Sequence, residues 1–363
     1  MKKTTLISSA LIIASGATLL SACSNDETND PIEPSSGNRI RFAASTELTR
    51  SGDITTNNLN SFNVYAYTGN ATAPKIFMDN VLVSKTASNV WTYSPVKYWP
   101  AKETVDFYAF APTSWVGATG PLAPVEYVDQ GGVEDIVYAV SPNLSGNTGS
   151  ANPQVIFNFR HALSKVTVKL SSTNTSLAVR VTNVAMSNIT TKGNFHFPGE
   201  STATESSDLN TGHWTDQNTP STYIYHMSQS HDDVILLTTT PNDLSSSDLA
   251  LGGPKYLIPQ PLTWRSSGMG NDTYLAVMCS VYDATTGDKL WPNANTPKEN
   301  IVEGSTYGDG LLKFPLSTSS FSEWKPGYQY IYNVVINSNE EMGSIDFGTP
   351  TVDTYVNITT NYQ

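Results

Sequence analysis

Cys23 is the residue whose chemistry its neighbours define most sharply. It follows Leu20-Ser21-Ala22 and precedes the acidic Ser24-Asn25-Asp26-Glu27. Lys2 and Lys3 open the chain, and Leu6 to Leu20 form an apolar run too short and too broken by Ser, Thr and Gly for a stable membrane span. This order reads as a lipoprotein signal. Residues 1–22 are expected to be removed, and the Cys23 thiol to carry a diacylglyceryl group. Two acyl chains and an amide-linked third would anchor the chain firmly, since each buried methylene contributes about 0.8 kcal/mol.

The other reactive residue types form no recognisable constellation. Cys279, within Tyr274–Tyr282, has no basic neighbour in sequence and reads as a small buried hydrophobe. With Cys23 taken by lipid, no disulfide is expected. His226 and His231 are five apart, a spacing that serves neither one helix face nor one strand face, so no metal site is expected there. His161 reads as structural, its ring nitrogens satisfying local backbone groups. Glu134-Asp135 and Asp232-Asp233 are adjacent pairs that point to opposite faces of a strand and read as solvated loop residues. There is no Gly-x-Ser-x-Gly, P-loop, His-Glu-x-x-His or Cys-x-x-Cys. The residues thus point to no enzyme, no cofactor and no metal. A net charge of -12 leaves no basic surface for nucleic acid.

The elements that position these residues read as β almost throughout. Charged residues are 14% of the chain, against about 25% in an ordinary domain. The length suits two domains. Residues 23–38, acidic and carrying Pro31 and Pro34, read as a tether that cannot bury enough apolar surface to order itself. Alternation begins at Ile40-Arg41-Phe42-Ala43-Ala44 and returns at Phe62–Tyr67 and Val105–Phe110. A Gly, Ser, Asn and Pro cluster from Asn143 to Pro153 marks a boundary. Beyond it come Val155–Phe159, Lys165–Leu170, Leu177–Asn183, Tyr256–Ile258, Tyr274–Tyr282 and Tyr328–Ile336. The expected architecture is all-β: two tandem sandwich domains at 39–154 and 155–363, with long polar loops at Glu200–Pro220 and Asn242–Gly253. Trp91 and Tyr93, then Tyr98 and Trp99, could stack on sugars, but period-two spacing favours core packing.

Four blocks carry a resemblance. Trp91-Thr92-Tyr93-Ser94-Pro95-Val96-Lys97-Tyr98-Trp99-Pro100, Val105–Pro112, Phe157–Val166 and Trp324-Lys325-Pro326-Gly327-Tyr328-Gln329-Tyr330 resemble, in order, the signature blocks of the Mfa-like fimbrillin family. The resemblance implies transthyretin-like β-sandwich pilins of the Bacteroidales type V pilus. It further implies transport to the outer membrane as a surface-exposed lipoprotein, removal of the lipidated N-terminus by an arginine-specific or trypsin-like protease, and replacement of the lost strand by a neighbouring subunit's C-terminal strand in the fimbria.

The residues allow that mechanism. Arg50 lies in the polar connection Glu47-Leu48-Thr49-Arg50-Ser51-Gly52-Asp53, where a cut would leave Ser51 as the new N-terminus. Arg39 and Arg41 are weaker candidates, before or within the strand. Ile40, Phe42 and Ala44 share one face of the strand that would depart. Val352, Thr354, Val356 and Ile358 share one face of a candidate donor strand within 349–363. A last strand that simply completes its own domain predicts the same alternation. The expected function is therefore an adhesive pilin subunit whose partners are other pilin subunits, the processing protease, and a host protein or glycan. The alternatives are a lipid-retaining anchor or tip subunit, or a surface glycan-binding lipoprotein.

Overall fold

Alternating apolar residues punctuated by Gly, Pro and Asn favour strands that bury one face. In the computed structural model, residues 34–46, 53–55, 57–70, 72–115, 120–147, 153–199, 201, 212–230, 233–244, 252–265, 270–306, 308–318, 321–337 and 351–354 are described. Cys23, the tether up to residue 33, Arg50, Ser51, His231, Asp232, Val356 and Ile358 lie outside them.

Along the chain run β1 (Pro34–Arg39), β2 (Arg41–Thr46), β3 (Ser61–Asn70), β4 (Ala73–Lys85), β5 (Trp91–Tyr93), β6 (Tyr98–Pro100) and β7 (Val105–Ala111). Then follow β8 (Val125–Val128), β9 (Val137–Leu144), β10 (Gln154–His161), β11 (Ser164–Ser171), β12 (Leu177–His196), β13 (His213–Met227) and β14 (Ile235–Leu236). The last are β15 (Asn242–Asp243), β16 (Lys255–Leu257), β17 (Tyr274–Asp283), β18 (Lys289–Trp291), β19 (Gly310–Pro315), β20 (Tyr328–Val335) and β21 (Thr351–Thr354). No α-helix occurs among the described residues. The fold is all-β and sandwich-like.

The first large sheet has the order β2-β10-β9-β7-β3-β4-β5. Its inner face buries Phe62, Val64, Phe107, Ala109, Phe157 and Phe159, and the sheet curls until its two edge strands, β2 and β5, face each other across Phe42 and Tyr93, with ring centroids 5.1 Å apart. A second core lies between the sheet β15-β11-β20-β21 and the sheet built on β13-β12-β17-β18. Val166 and Val168 of β11 and Tyr330 and Tyr332 of β20 pack there with Val179 and Val181 of β12 and Val277 and Cys279 of β17. A third cluster joins the outer face of β3, through Tyr65 and Tyr67, to Phe195 of β12 and Tyr256 of β16. Strand β3 is therefore buried on both faces, which its aromatic and apolar run Phe62–Tyr67 permits.

Several features depart from the sequence reading. Residues 34–38 of the expected tether belong to β1, which pairs with β6, and Asn242 and Asp243 of the expected loop Asn242–Gly253 form β15, paired with β11. The expected loop at Glu200–Pro220 contains the first half of β13, which pairs with β12 from His196↔His213 to Thr190↔Pro220. Its polar residues give no alternation, because this half of β13 is largely exposed and its order comes from the ladder with β12. Strand β10, which begins where the second set of strands was expected, pairs with β2 and β9 of the first sheet. The second core starts with β11.

Candidate functional site at the sheet edge

The chain from Pro34 to Thr46 closes the curled first sheet. Arg39 of β1 pairs with Tyr98 of β6, Ile40 joins β1 to β2, and β2 runs parallel to β10 with Arg41 opposite Gln154 and Thr46 opposite Phe159. Among the described residues, the only ladder partner of β2 is β10. On its other side it meets side chains and one loop: Ile40 N–H donates to the Lys97 carbonyl at 3.0 Å, and the Tyr93 hydroxyl donates to the Ile40 carbonyl at 2.9 Å. The Gln154 side-chain amide donates to the Phe42 carbonyl at 3.1 Å.

Side chains alternate as period two requires. Ile40 is 0% and Phe42 3% exposed, Arg41 points to solvent, and Ala44 packs partly buried against the first core. The Phe42 ring is surrounded by Tyr93, Phe157, Phe107 and Phe62 at centroid distances of 5.1, 5.6, 6.0 and 6.4 Å. Burying Ile40 and Phe42 contributes about 1.5–3 kcal/mol each. An edge strand seated this way is held by two side chains and a one-sided ladder, and losing it would open both a sheet edge and an aromatic-lined slot.

A second feature lies immediately after the 47–52 connection. Asp53 is fully buried and forms an ion pair with Lys165 Nζ, which lies 2.7 Å from each carboxylate oxygen, while Tyr256 OH donates to its Oδ1 at 2.7 Å. Burial, then the charges of Asp135 and Asp53, push the Tyr256 hydroxyl well above the usual phenol range, so it remains a donor. Ile54 N–H donates to Asp135 Oδ2 at 2.9 Å, and the same oxygen lies 2.8 Å from His161 Nδ1. The Asn58 side chain donates to the Asp53 carbonyl at 2.6 Å. Here the sequence reading is corrected twice. Asp135 is buried, not solvated, and His161 meets a carboxylate, not only backbone. Adjacent acidic residues carry no sign of burial in the sequence, and the partners of the Asp53 carboxylate, Lys165 and Tyr256, are more than a hundred residues distant.

At the other end of the chain, β21 lies on the edge of its sheet, antiparallel to β20, with Tyr330 opposite Val352 and Tyr328 opposite Thr354. The remaining candidates settle simply. Trp99 is 1% exposed and packs on Phe107 at 5.7 Å, and Tyr93 is buried, so these two form core, while Trp91 is half-buried and Tyr98 is exposed. His226 Nε2 lies 3.1 Å from Ser228 Oγ, and among the described residues no cluster of three or more metal-ligating side chains occurs. His196 and His213 stack across β12 and β13 at 4.6 Å. Sequence spacing gives no hint of that pair, because it depends on the strand register.

Cys279 is fully buried, and desolvation followed by the charge of Asp309 raises its thiol far above the usual range. Iodoacetamide is therefore expected to leave Cys279 unmodified in the native protein at pH 8 and to label it fully in denaturant. Rapid native labelling, read by mass, would contradict this burial.

Fold and site together define an all-β, sandwich-like protein closed by an edge strand near its N-terminus. The fold is shared with a fimbrial protein from Bacteroides vulgatus, with a TM-score of 0.54 at 15% identity, covering 88% of this chain and 99% of that one. A candidate cell adhesion protein from Bacteroides uniformis aligns at 17% identity over 89% and 100% of the two chains, with a TM-score of 0.48. The tip fimbrial protein Mfa3 from Porphyromonas gingivalis aligns at 11% identity over 81% and 94%, with a TM-score of 0.40. No curated protein sequence matches the chain. The sequence pattern of the fimbrillin-like family matches residues 49–353, and the chain belongs to that family. It is a structural protein of the fimbrial class, not an enzyme.

Proposed function

We propose that this chain is a pilin subunit that reaches the outer membrane as a lipoprotein through Cys23, is cut after Arg50, and polymerises by strand exchange. A C-terminal segment of a neighbouring copy takes the place of Ile40, Phe42 and Ala44. The observation that carries this reading is the contrast on either side of the 47–52 connection. Before it, β2 is an edge strand with one ladder partner and two deeply seated side chains. After it, Asp53 and Ile54 are fixed by buried polar contacts. A cut between them would free the first without loosening the second.

Uncut, β2 occupies its own slot at the effective concentration of a tethered segment, which excludes a competitor. Once cut, it is a short free peptide, and a donor gains the same ladder and the same burial. The C-terminal segment suits the donor role because β21 already lies on a sheet edge and pairs over only four residues. Its expected partners are other copies of this chain or related pilins and an arginine-specific or trypsin-like protease. Likeness to fimbrial and adhesion proteins supports adhesion to a host protein or glycan.

The test has two parts. Surface material from the native host is expected to begin at Ser51, and a chain beginning at acylated Cys23 would overturn the cleavage step and favour an anchor subunit. Deleting residues 338–363 is expected to abolish polymers and leave a folded monomer, because Ile336 is the last residue in the second core among the described residues. Normal polymers from that truncation would overturn strand donation from the C-terminus.

A further inference from the structure

The slot under β2 has a chemical specification of its own. Reading along the strand, it takes a branched aliphatic side chain at Ile40, an outward residue at Arg41, a benzyl group at Phe42, and small residues at Ala43 and Ala44. Four aromatic rings surround the benzyl seat. A Val or Thr placed there would leave these rings without contacts on one side, because close-packed interiors do not collapse fully around a smaller group.

The C-terminal residues 338–363 contain one pair with the required order and spacing, Ile345-Asp346-Phe347, followed by Gly348 and Thr349. Ile345 and Phe347 reproduce Ile40 and Phe42, Asp346 takes the outward place of Arg41, and Gly348 and Thr349 follow where Ala43 and Ala44 do. Pro350 then falls at Ser45, near the end of an edge ladder, where a missing N–H is tolerated. The register expected from alternation alone, Val352, Thr354, Val356 and Ile358, supplies no aromatic residue to the inward face.

We propose that the segment entering the slot is Ile345–Thr349 of a second copy of this chain, parallel to β10, with Ile345 in the Ile40 seat and Phe347 in the Phe42 seat. The proposal rests on the strand-exchange reading above and fixes its register. Residues 338–350 lie outside the described residues, so the assignment rests on the slot and on the sequence. Eight residues lie between Ile336 and Ile345, and the nine steps between the two span up to about 30 Å when extended, enough to leave one subunit and reach the next.

In β2, Ala43 stands opposite Ile156, which is 57% exposed on the outer face of β10. Its counterpart in the proposed donor is Gly348. The full chain carrying Ile156→Cys and Gly348→Cys, processed after Arg50 and oxidised mildly, is expected to give disulfide-linked ladders between copies that collapse on reduction. Cys279 is buried and takes no part. The companion chain with Ile156→Cys and Tyr355→Cys places a thiol where the register with Val352 in the Ile40 seat would put it. Ladders from that chain and none from the first would overturn the proposed register and leave strand exchange intact. Absence of polymers from the processed wild-type chain would overturn strand exchange and this proposal with it. As a second readout, Phe347→Ala is expected to slow polymerisation on the order of a hundredfold, while Val352→Ala changes it by less than about threefold. Equal rates for the two variants would also overturn the register.

Discussion

Replacing Lys165 by Met is expected to lower the unfolding free energy by about 3–5 kcal/mol, because it leaves Asp53 as a buried charge without its cation. Asp53 has no exposed surface and the Lys165 side chain is 4% exposed, so water cannot take over the lost contact without opening the fold. The Tyr256 hydroxyl still donates to Asp53, but one neutral donor does not replace an ammonium. Exchanging both partners, Asp53→Leu with Lys165→Met, is expected to recover most of the loss. Replacing a buried pair with apolar groups of similar volume is often neutral or stabilising, whereas breaking it is not. Denaturant unfolding of the three chains at equal m-value checks this, and a loss below about 1 kcal/mol for Lys165→Met would show the pair to be solvated. The consequence for assembly is specific. In the proposed cleavage, this pair separates the strand that leaves from the chain that stays, so Lys165→Met is expected to loosen the processed N-terminus as well as the fold.

The second large effect is expected at Phe42. Truncation to Ala removes the ring from its four aromatic neighbours and costs about 3–5 kcal/mol, as other buried Phe→Ala changes do. The loss falls on a strand with a single ladder partner among the described residues, so it is expected to appear first as local opening and not as global unfolding. Two readouts follow. Trypsin should cut at Arg39 and Arg41 in the variant under conditions that spare the parent chain, and hydrogen exchange should rise along β2 and β10 while the β11–β20 ladder stays protected. Under strand exchange, the processed variant should also release its resident strand and polymerise faster. Protection of β2 equal to that of the parent chain would mean that the ladder and Ile40 hold the strand without Phe42. The same substitution thus separates what seats the strand from what completes the sheet.

Much of the fold was legible because it depends on local pattern. Ile40-Arg41-Phe42 alternates, and in the structure Ile40 and Phe42 are buried and Arg41 is exposed. The aromatic spacing at Trp91 and Tyr93 favoured packing, and Tyr93 now supports the Ile40 carbonyl. Cys279 lacked any basic neighbour and is buried. Polar stretches were read less well. The first half of β13 has no apolar periodicity, and only its partner β12 makes it a strand.

The sequence by itself determined the β class and the resemblance that family membership now supports, because each rests on neighbouring residues or on spacing along the chain. Only the tertiary structure decided that β2 is an edge strand parallel to β10, that β10 belongs to the first sheet, and that Asp53, Lys165, Tyr256, Asp135 and His161 meet in one buried polar cluster. Those facts depend on contacts between residues up to two hundred positions apart. A carboxylate that will lose its water on folding looks, along the chain, the same as one that will keep it.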